Sequence, residues 1–141
     1  QHKTNPWMEG RQNRPRHRSA VWQYAKSLCL EVYRITSNFP EDEKYGLKAQ
    51  LRRGAISVAS NPVEGAARKT TKSYLYFLYT ARASLEELDA QLELAAELGY
   101  LTALDLSDAR DLHHRLTGTL QSLINTLESK IGDNTPMPPT S

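Results

Sequence analysis

The sequence predicts an all-α protein, an antiparallel up-down four-helix bundle. Three observations carry that expectation. Apolar residues recur at three- and four-residue steps in four successive blocks, while no stretch alternates apolar and polar residues as a half-buried strand would. Pro and Gly fall between the blocks, where they stop helices. The connections are mostly under ten residues, which favours antiparallel neighbours, and 141 residues suffice for one domain with a proper core.

Residues 1–18 combine Pro, Asn, Gln and Arg with almost nothing to bury, so they read as a disordered basic arm; residues 19–132 read as the bundle and 133–141 as a disordered tail. Ser19 stands as an N-cap before the first helix, whose Val21, Tyr24, Ala25, Leu28, Val32 and Ile35 form one apolar face. Asn38 and Pro40 stop it, because the residue before proline is pushed out of the helical region.

Pro40 suits the first turn of the second helix, with Glu41, Asp42 and Glu43 against the positive end of its dipole. That helix is expected to run to about Gly65. Gly46, Gly54, Ala55, Ser57, Ala59 and Ser60 make it thin, so a neighbouring backbone can approach closely. Pro62 lacks a backbone donor and is expected to kink or end the helix near residues 58–61, with Gly65 as the exit.

The third helix, about Thr71 to Leu98, carries Tyr74, Leu78, Ala81, Leu85, Leu88, Leu92 and Ala95, an unbroken heptad seam that Gly99 closes. The fourth, about residues 103–131, places Leu106, Ala109, Leu112, Leu116, Leu120, Leu123, Leu127 and Ile131 on one face, and Gly132 ends it.

Composition excludes several function classes. No apolar run approaches the ~20 residues that span a bilayer, and the polar N-terminal stretch lacks a signal core, so a cytoplasmic protein is expected. One cysteine, Cys29, excludes an internal disulfide and a cysteine zinc cluster, and its Leu28 and Leu30 neighbours suggest a buried, inert thiol. There is no Gly-rich phosphate loop, nucleophile elbow or paired-carboxylate constellation, so no enzyme activity and no cofactor are expected. Asp111 and His114 make one carboxylate/His pair with no match on another helix, and the acids Glu86, Glu87, Asp89, Glu93 and Glu97 fall outside the core seam of the third helix. His113 and His114 lie about 100° apart around their helix and cannot converge on one atom.

The net charge of +2 hides a segregation. Residues 1–20 hold five basic residues against Glu9; residues 44–72 hold Lys44, Lys48, Arg52, Arg53, Arg68, Lys69 and Lys72 against Glu64 alone. Lys44, Lys48 and Arg52 step by four along the expected second helix, a line of about 12 Å that suits a phosphate backbone. A solvated face, or pairing with the acidic outer face of the third helix in the same or a neighbouring subunit, accounts for the same charges. Glu64 is costly to bury alone, so it is expected to pair with Arg52, Arg53 or Arg68, or to accept backbone N–H bonds.

Phe39-Pro40, Glu43, Tyr45-Gly46-Leu47, Gln50, Arg52-Arg53, Ser57, Asn61, Glu64-Gly65, Arg68, Ser84, Glu87 and Gly99-Tyr100-Leu101 together resemble the small four-helix-bundle proteins encoded in intervening sequences of bacterial 23S ribosomal RNA genes, over about residues 20–130. The resemblance implies a ring-shaped homopentamer without catalytic residues. It also implies similarity to the accessory protein of diversity-generating retroelements, a basic barrel thought to bind nucleic acid and a reverse transcriptase. Arg52, Arg53 and Arg68 become nucleic-acid candidates by position, and Asn61 and Glu64 shape the turn before the third helix. Two departures stand out: Pro62 in place of an aliphatic residue, and Ala83 in place of Gly before Ser84.

The expected function is therefore a non-enzymatic, oligomeric binding or scaffold protein on structured or ribosomal RNA, contacting phosphates rather than bases. A reverse-transcriptase-like or ribosomal partner is a further expectation from the resemblance. Surplus aromatic residues between Tyr74 and Tyr79 would serve a subunit interface. The alternatives are a protein-binding adaptor with no nucleic-acid role and a carboxylate/His metal-binding bundle.

Overall fold

The structure, a computed structural model, describes residues 16–134, with side chains described for residues 20–131. It contains four long helices: α1 (Arg16–Thr36), α2 (Leu47–Ala66), α3 (Thr71–Glu97) and α4 (Ala103–Asn134), with a short 3-10 turn at Glu41–Glu43. No strand occurs among the described residues. α2 packs on α1 and α3, and α4 packs on α3 and α1, so each helix has two neighbours in the bundle.

The core is the set of apolar faces that the sequence spacing selects. All seven seam positions of α3, Tyr74 to Ala95, are buried, and Leu78, Leu88 and Leu92 are wholly so. Val21, Ala25, Leu28, Val32 and Ile35 of α1 meet Leu51, Ala55 and Val58 of α2 and Ala109, Leu116, Leu120, Leu123, Ile124 and Leu127 of α4 in one cluster. Leu106, Leu112 and Ile131, expected on the same face of α4, are only partly covered.

Four boundaries differ from the sequence expectation. α1 begins at Arg16, so Ser19 lies inside it rather than capping it, and the last residues of the expected arm are helical. Arg and Ala are good helix formers and let the helix extend upstream of its first buried residue. Residues 1–15 of the arm lie outside the described residues, as do tail residues 135–141. α2 begins at Leu47, not at Pro40: Glu41, Asp42 and Glu43 form the separate 3-10 turn. The acid still meets the helix start, because the Leu47 backbone N–H donates to Glu43 Oε1 at 2.9 Å.

Pro62 does not end α2, which continues to Ala66 with Pro62 buried inside it. Next to it, Asn61 Nδ2 donates to Ser57 O and Ser57 Oγ at 2.9 Å each, and Ser57 Oγ meets Ser84 Oγ of α3 at 2.9 Å. Tertiary packing and this polar bridge hold a turn that a lone proline would loosen. α4, finally, passes through Gly132 to Asn134; an isolated glycine costs only about 1 kcal/mol in a helix and does not terminate one.

α2 ends at Ala66, within one residue of the expected exit at about Gly65. Gly65 is buried within α2, and a Cβ there would fall 2.8 Å from Phe77 Cβ, 2.9 Å from Tyr74 Cδ1 and 3.1 Å from Tyr74 O. The thinness of α2 is thus used for close approach of α3 at this point. At Gly54 the approach is looser, since a Cβ would meet Leu88 Cδ1 at 3.6 Å. Gly99 behaves as expected, with φ +81° in the α3–α4 turn.

Candidate nucleic-acid interface

The seven basic residues of 44–72 separate into distinct local settings. Lys44 is not on α2; it follows the 3-10 turn, with its ammonium 5.6 Å from the Tyr45 ring centre. The expected line of Lys44, Lys48 and Arg52 is therefore broken by the turn at 44–46. Arg52 is committed inside the molecule: Nε donates to Thr36 Oγ1 at 2.9 Å and a terminal nitrogen donates to Tyr33 O at 3.2 Å. Its guanidinium also stacks over the Tyr33 ring, 4.4 Å from the centre. Arg52 thus closes the C-terminal end of α1, where helix carbonyls lack intrahelical donors.

The other end of α2 is different. Lys69 and Lys72 are exposed, and neither forms an ion pair with a described residue; the same holds for exposed Arg53 and half-buried Lys48. Arg68 stacks on Phe77, 4.6 Å from the ring centre, and reaches Glu64 at a long 3.7 Å. Of the partners expected for Glu64, the structure therefore selects Arg68. The carboxylate is exposed, so no burial cost arises.

Ala67, Arg68, Lys69, Thr70 and Ser73 line a concavity of about 400 Å³ at the α2–α3 turn. It sits at the start of α3, where Thr70 Oγ1 accepts the Ser73 backbone N–H at 3.1 Å. The start of α3 and the side chains of Arg68 and Lys69 meet there without an acid in the lining, and exposed Lys72 stands in the first turn of α3 outside it. Such a surface suits a phosphate oxygen.

Several residues behind the family resemblance have a structural occupation. Tyr100 O–H donates to Glu43 Oε2 at 2.9 Å, its ring lies 5.2 Å from that of Phe39, and hydrogen bonding to the carboxylate pushes its hydroxyl above the ordinary tyrosine range. Glu43 therefore clamps the α2 start to the α3–α4 turn. Ser57, Asn61, Ser84 and Gly65 bind α2 to α3, as above. Sequence spacing had no signal for the Glu43–Tyr100 clamp, because its halves are far apart along the chain.

The metal candidates do not assemble: no three His, Cys, Asp or Glu side chains are grouped to hold an ion among the described residues. Asp111 pairs with Arg115 at 3.2 Å, His114 is exposed, and His113 Nε2 lies 2.8 Å from Leu85 O. The acids of α3 do point outward or to the flank, and Asp89 and Glu93 share Arg110 of α4 at 3.1 and 3.3 Å. Cys29 is half-buried rather than sealed in the core. Burial pushes its thiol up, and it lines an apolar groove between α1 and α2 with Trp22, Ile56, Ala59, Ser60, Val63 and Glu64. The sequence did not point to this groove, because exposed apolar residues on two helices become a groove only when the helices are placed side by side.

A four-helix bundle with a segregated basic turn is the class defined by this fold and surface. The family described as "23S rRNA-intervening sequence protein" matches residues 17–122, and the chain belongs to that family. The fold is also similar to the crystal structure of a protein with unknown function from the S23 ribosomal protein family of Bacteroides thetaiotaomicron. That likeness has TM-score 0.71 at 16% identity and covers 77% of this chain and 98% of the other. No curated relative matches. No helix among the described residues is long and apolar enough to cross a membrane.

Proposed function

We infer that the protein is a non-enzymatic, oligomeric binding protein that grips the phosphates of structured RNA through the α2–α3 turn. The observation that carries this reading is the concavity at 67–73, where Arg68 and Lys69 line the start of α3 with no acid in the lining, next to the exposed, unpaired Lys72 of the first turn. Arg53 and Lys48 of α2 are further cations without an ion pair to a described residue. Family membership supports an RNA context, and the pentameric assembly is carried over from the resemblance. Contacts of this kind position a backbone without reading bases.

The test is binding to a structured RNA titrated against salt. Affinity should fall steeply with salt, and Lys69→Ala with Lys72→Ala and Arg53→Ala should reduce the logarithmic slope by about 2–3. A salt-independent affinity, or a slope the triple variant leaves unchanged, rejects the phosphate grip. The adaptor reading is then the better one, favoured by the exposure of Tyr45, Tyr76, Leu94 and Leu98.

A further inference from the structure

We propose that the end of the bundle opposite the basic turn docks a basic, amphipathic segment of a partner protein. This goes beyond the RNA reading and does not depend on it, because the two surfaces lie at opposite ends of α2, about 30 Å apart.

At this end α1 stops, the 3-10 turn and α2 begin, and α3 hands over to α4. Three contacts gather these segments into one cap: the Tyr100 O–H donates to Glu43 at 2.9 Å, the Phe39 and Tyr100 rings lie 5.2 Å apart, and Arg34 meets Asp105 at 3.1 Å. Beside those contacts Tyr45, Leu104 and Leu98 remain 84%, 69% and 57% exposed. Tyr45 is two residues from Glu43, and Leu98 and Leu104 flank Tyr100 along the chain, so the cap that joins Glu43 to Tyr100 brings all three to one end. A group of large apolar side chains left in water marks an interaction surface.

Charge names the chemistry of the partner. Glu41, Asp42, Glu97 and Asp108 of the same end are exposed, and none forms an ion pair with a described residue. Arg34 is shared by Glu31 and Asp105, and Arg110 by Asp89 and Glu93, so each group keeps one negative charge in excess. Lys44 and Lys48 offset only part of the total. Glu97 is next to Leu98, and Asp108 stands one turn beyond Leu104 on α4, so acids border the apolar side chains. A phosphate is repelled from such a surface. Lysine or arginine of a partner is drawn to it, while the apolar face of the same segment covers the leucines. A second copy matches poorly: its like end would oppose acid to acid, and its turn at 67–73 brings charge with only Ala67 as an apolar side chain in the lining. The chain would then hold RNA at one end and a basic protein at the other.

The experiment uses the full chain and a fluorescent amphipathic peptide with leucine on one helical face and lysine on the other. Binding is read by anisotropy, with circular dichroism as the folding control. The peptide should bind, and the same peptide with glutamate for each lysine should not. Leu98→Ser with Leu104→Ser should weaken binding about tenfold or more, and Tyr45→Ser should weaken it less. Asp42→Lys with Glu97→Lys should weaken the lysine peptide about fivefold at low salt and admit the glutamate peptide. Lys69→Ala with Lys72→Ala, at the far end, should leave peptide binding unchanged. A lysine peptide that does not bind, or that binds the leucine and acid variants as tightly as the unaltered chain, overturns the proposal. So does a lower sedimenting mass in the folded leucine variant, which would mean that a second copy covers this end. Loss of RNA affinity in that variant overturns it too, by making the end a nucleic-acid surface. A salt-independent RNA affinity of the unaltered chain bears on the α2–α3 turn alone.

Discussion

The two ends of α2 carry charges of the same sign in opposite circumstances. At its N-terminal end, Glu43 holds the Leu47 N–H and the Tyr100 hydroxyl, and one turn further in Arg52 is bound to Thr36 and Tyr33 of α1. At its C-terminal end, Lys69 and Lys72 face solvent and Arg68 reaches its acid only at 3.7 Å. A count of basic residues treats the two ends alike. Hydrogen-bond geometry does not: a guanidinium satisfied by backbone and hydroxyl oxygens has little left for a phosphate, whereas an unpaired ammonium has its donors free. The difference teaches that charge marks a binding surface only after internal partners have been subtracted.

The comparison can be broken most forcefully where α2 touches α3. Gly65→Ala should lower stability by about 1–3 kcal/mol in urea melts, since the new Cβ overlaps Phe77 and Tyr74. A neutral result would mean that the close approach is not needed. Arg52→Ala should follow, with a loss of about 1–2 kcal/mol for hydrogen bonds to a charged, half-buried group, and with the salt slope of RNA binding unchanged. A lowered slope with intact stability would return Arg52 to the nucleic-acid surface.

Gly54→Ala sharpens the contrast in the opposite direction. Its Cβ meets only ordinary van der Waals distance at Leu88, so replacing glycine in mid-helix should stabilise by about 0.5–1 kcal/mol. At the turn, Lys69→Ala with Lys72→Ala should change stability in urea melts by less than about 0.5 kcal/mol, because these side chains hold nothing in place.

The smallest effect is alkaline. Tyr100 resists ionisation in the folded chain because Glu43 accepts its proton in a hydrogen bond. The unfolded tyrosine ionises first as pH passes about 10. Its stabilising contribution is therefore intact below that pH and is lost as pH rises through the higher folded value. Melting temperatures measured from pH 8 to 11 should fall above pH 10, and less steeply in Tyr100→Phe; Tyr79, also raised by burial and Glu128, remains in both.

Much of the fold was legible in the residue spacing, for a local reason. The steps from Tyr74 to Ala95 define a buried face whatever lies opposite, and all seven positions are in the core. Helix ends were less legible. Pro62 lies inside a helix because packing and neighbouring hydrogen bonds outweigh about 3 kcal/mol of intrinsic preference, and Gly132 because about 1 kcal/mol is too little to end one. Of the site, Lys69 and Lys72 are exposed, whereas Arg52 looked equivalent to them in sequence and is held by Thr36 and Tyr33 of α1.

By itself, the sequence determined the all-α class, the four apolar faces and the segregation of positive charge, since each follows from spacing and composition along the chain. Tertiary structure alone decided that Arg52 closes α1, that Glu43 joins Tyr100, and that Trp22 and Ile56 share one groove. Those are meetings between distant segments, and they depend on which helix faces are brought side by side once the cores have merged.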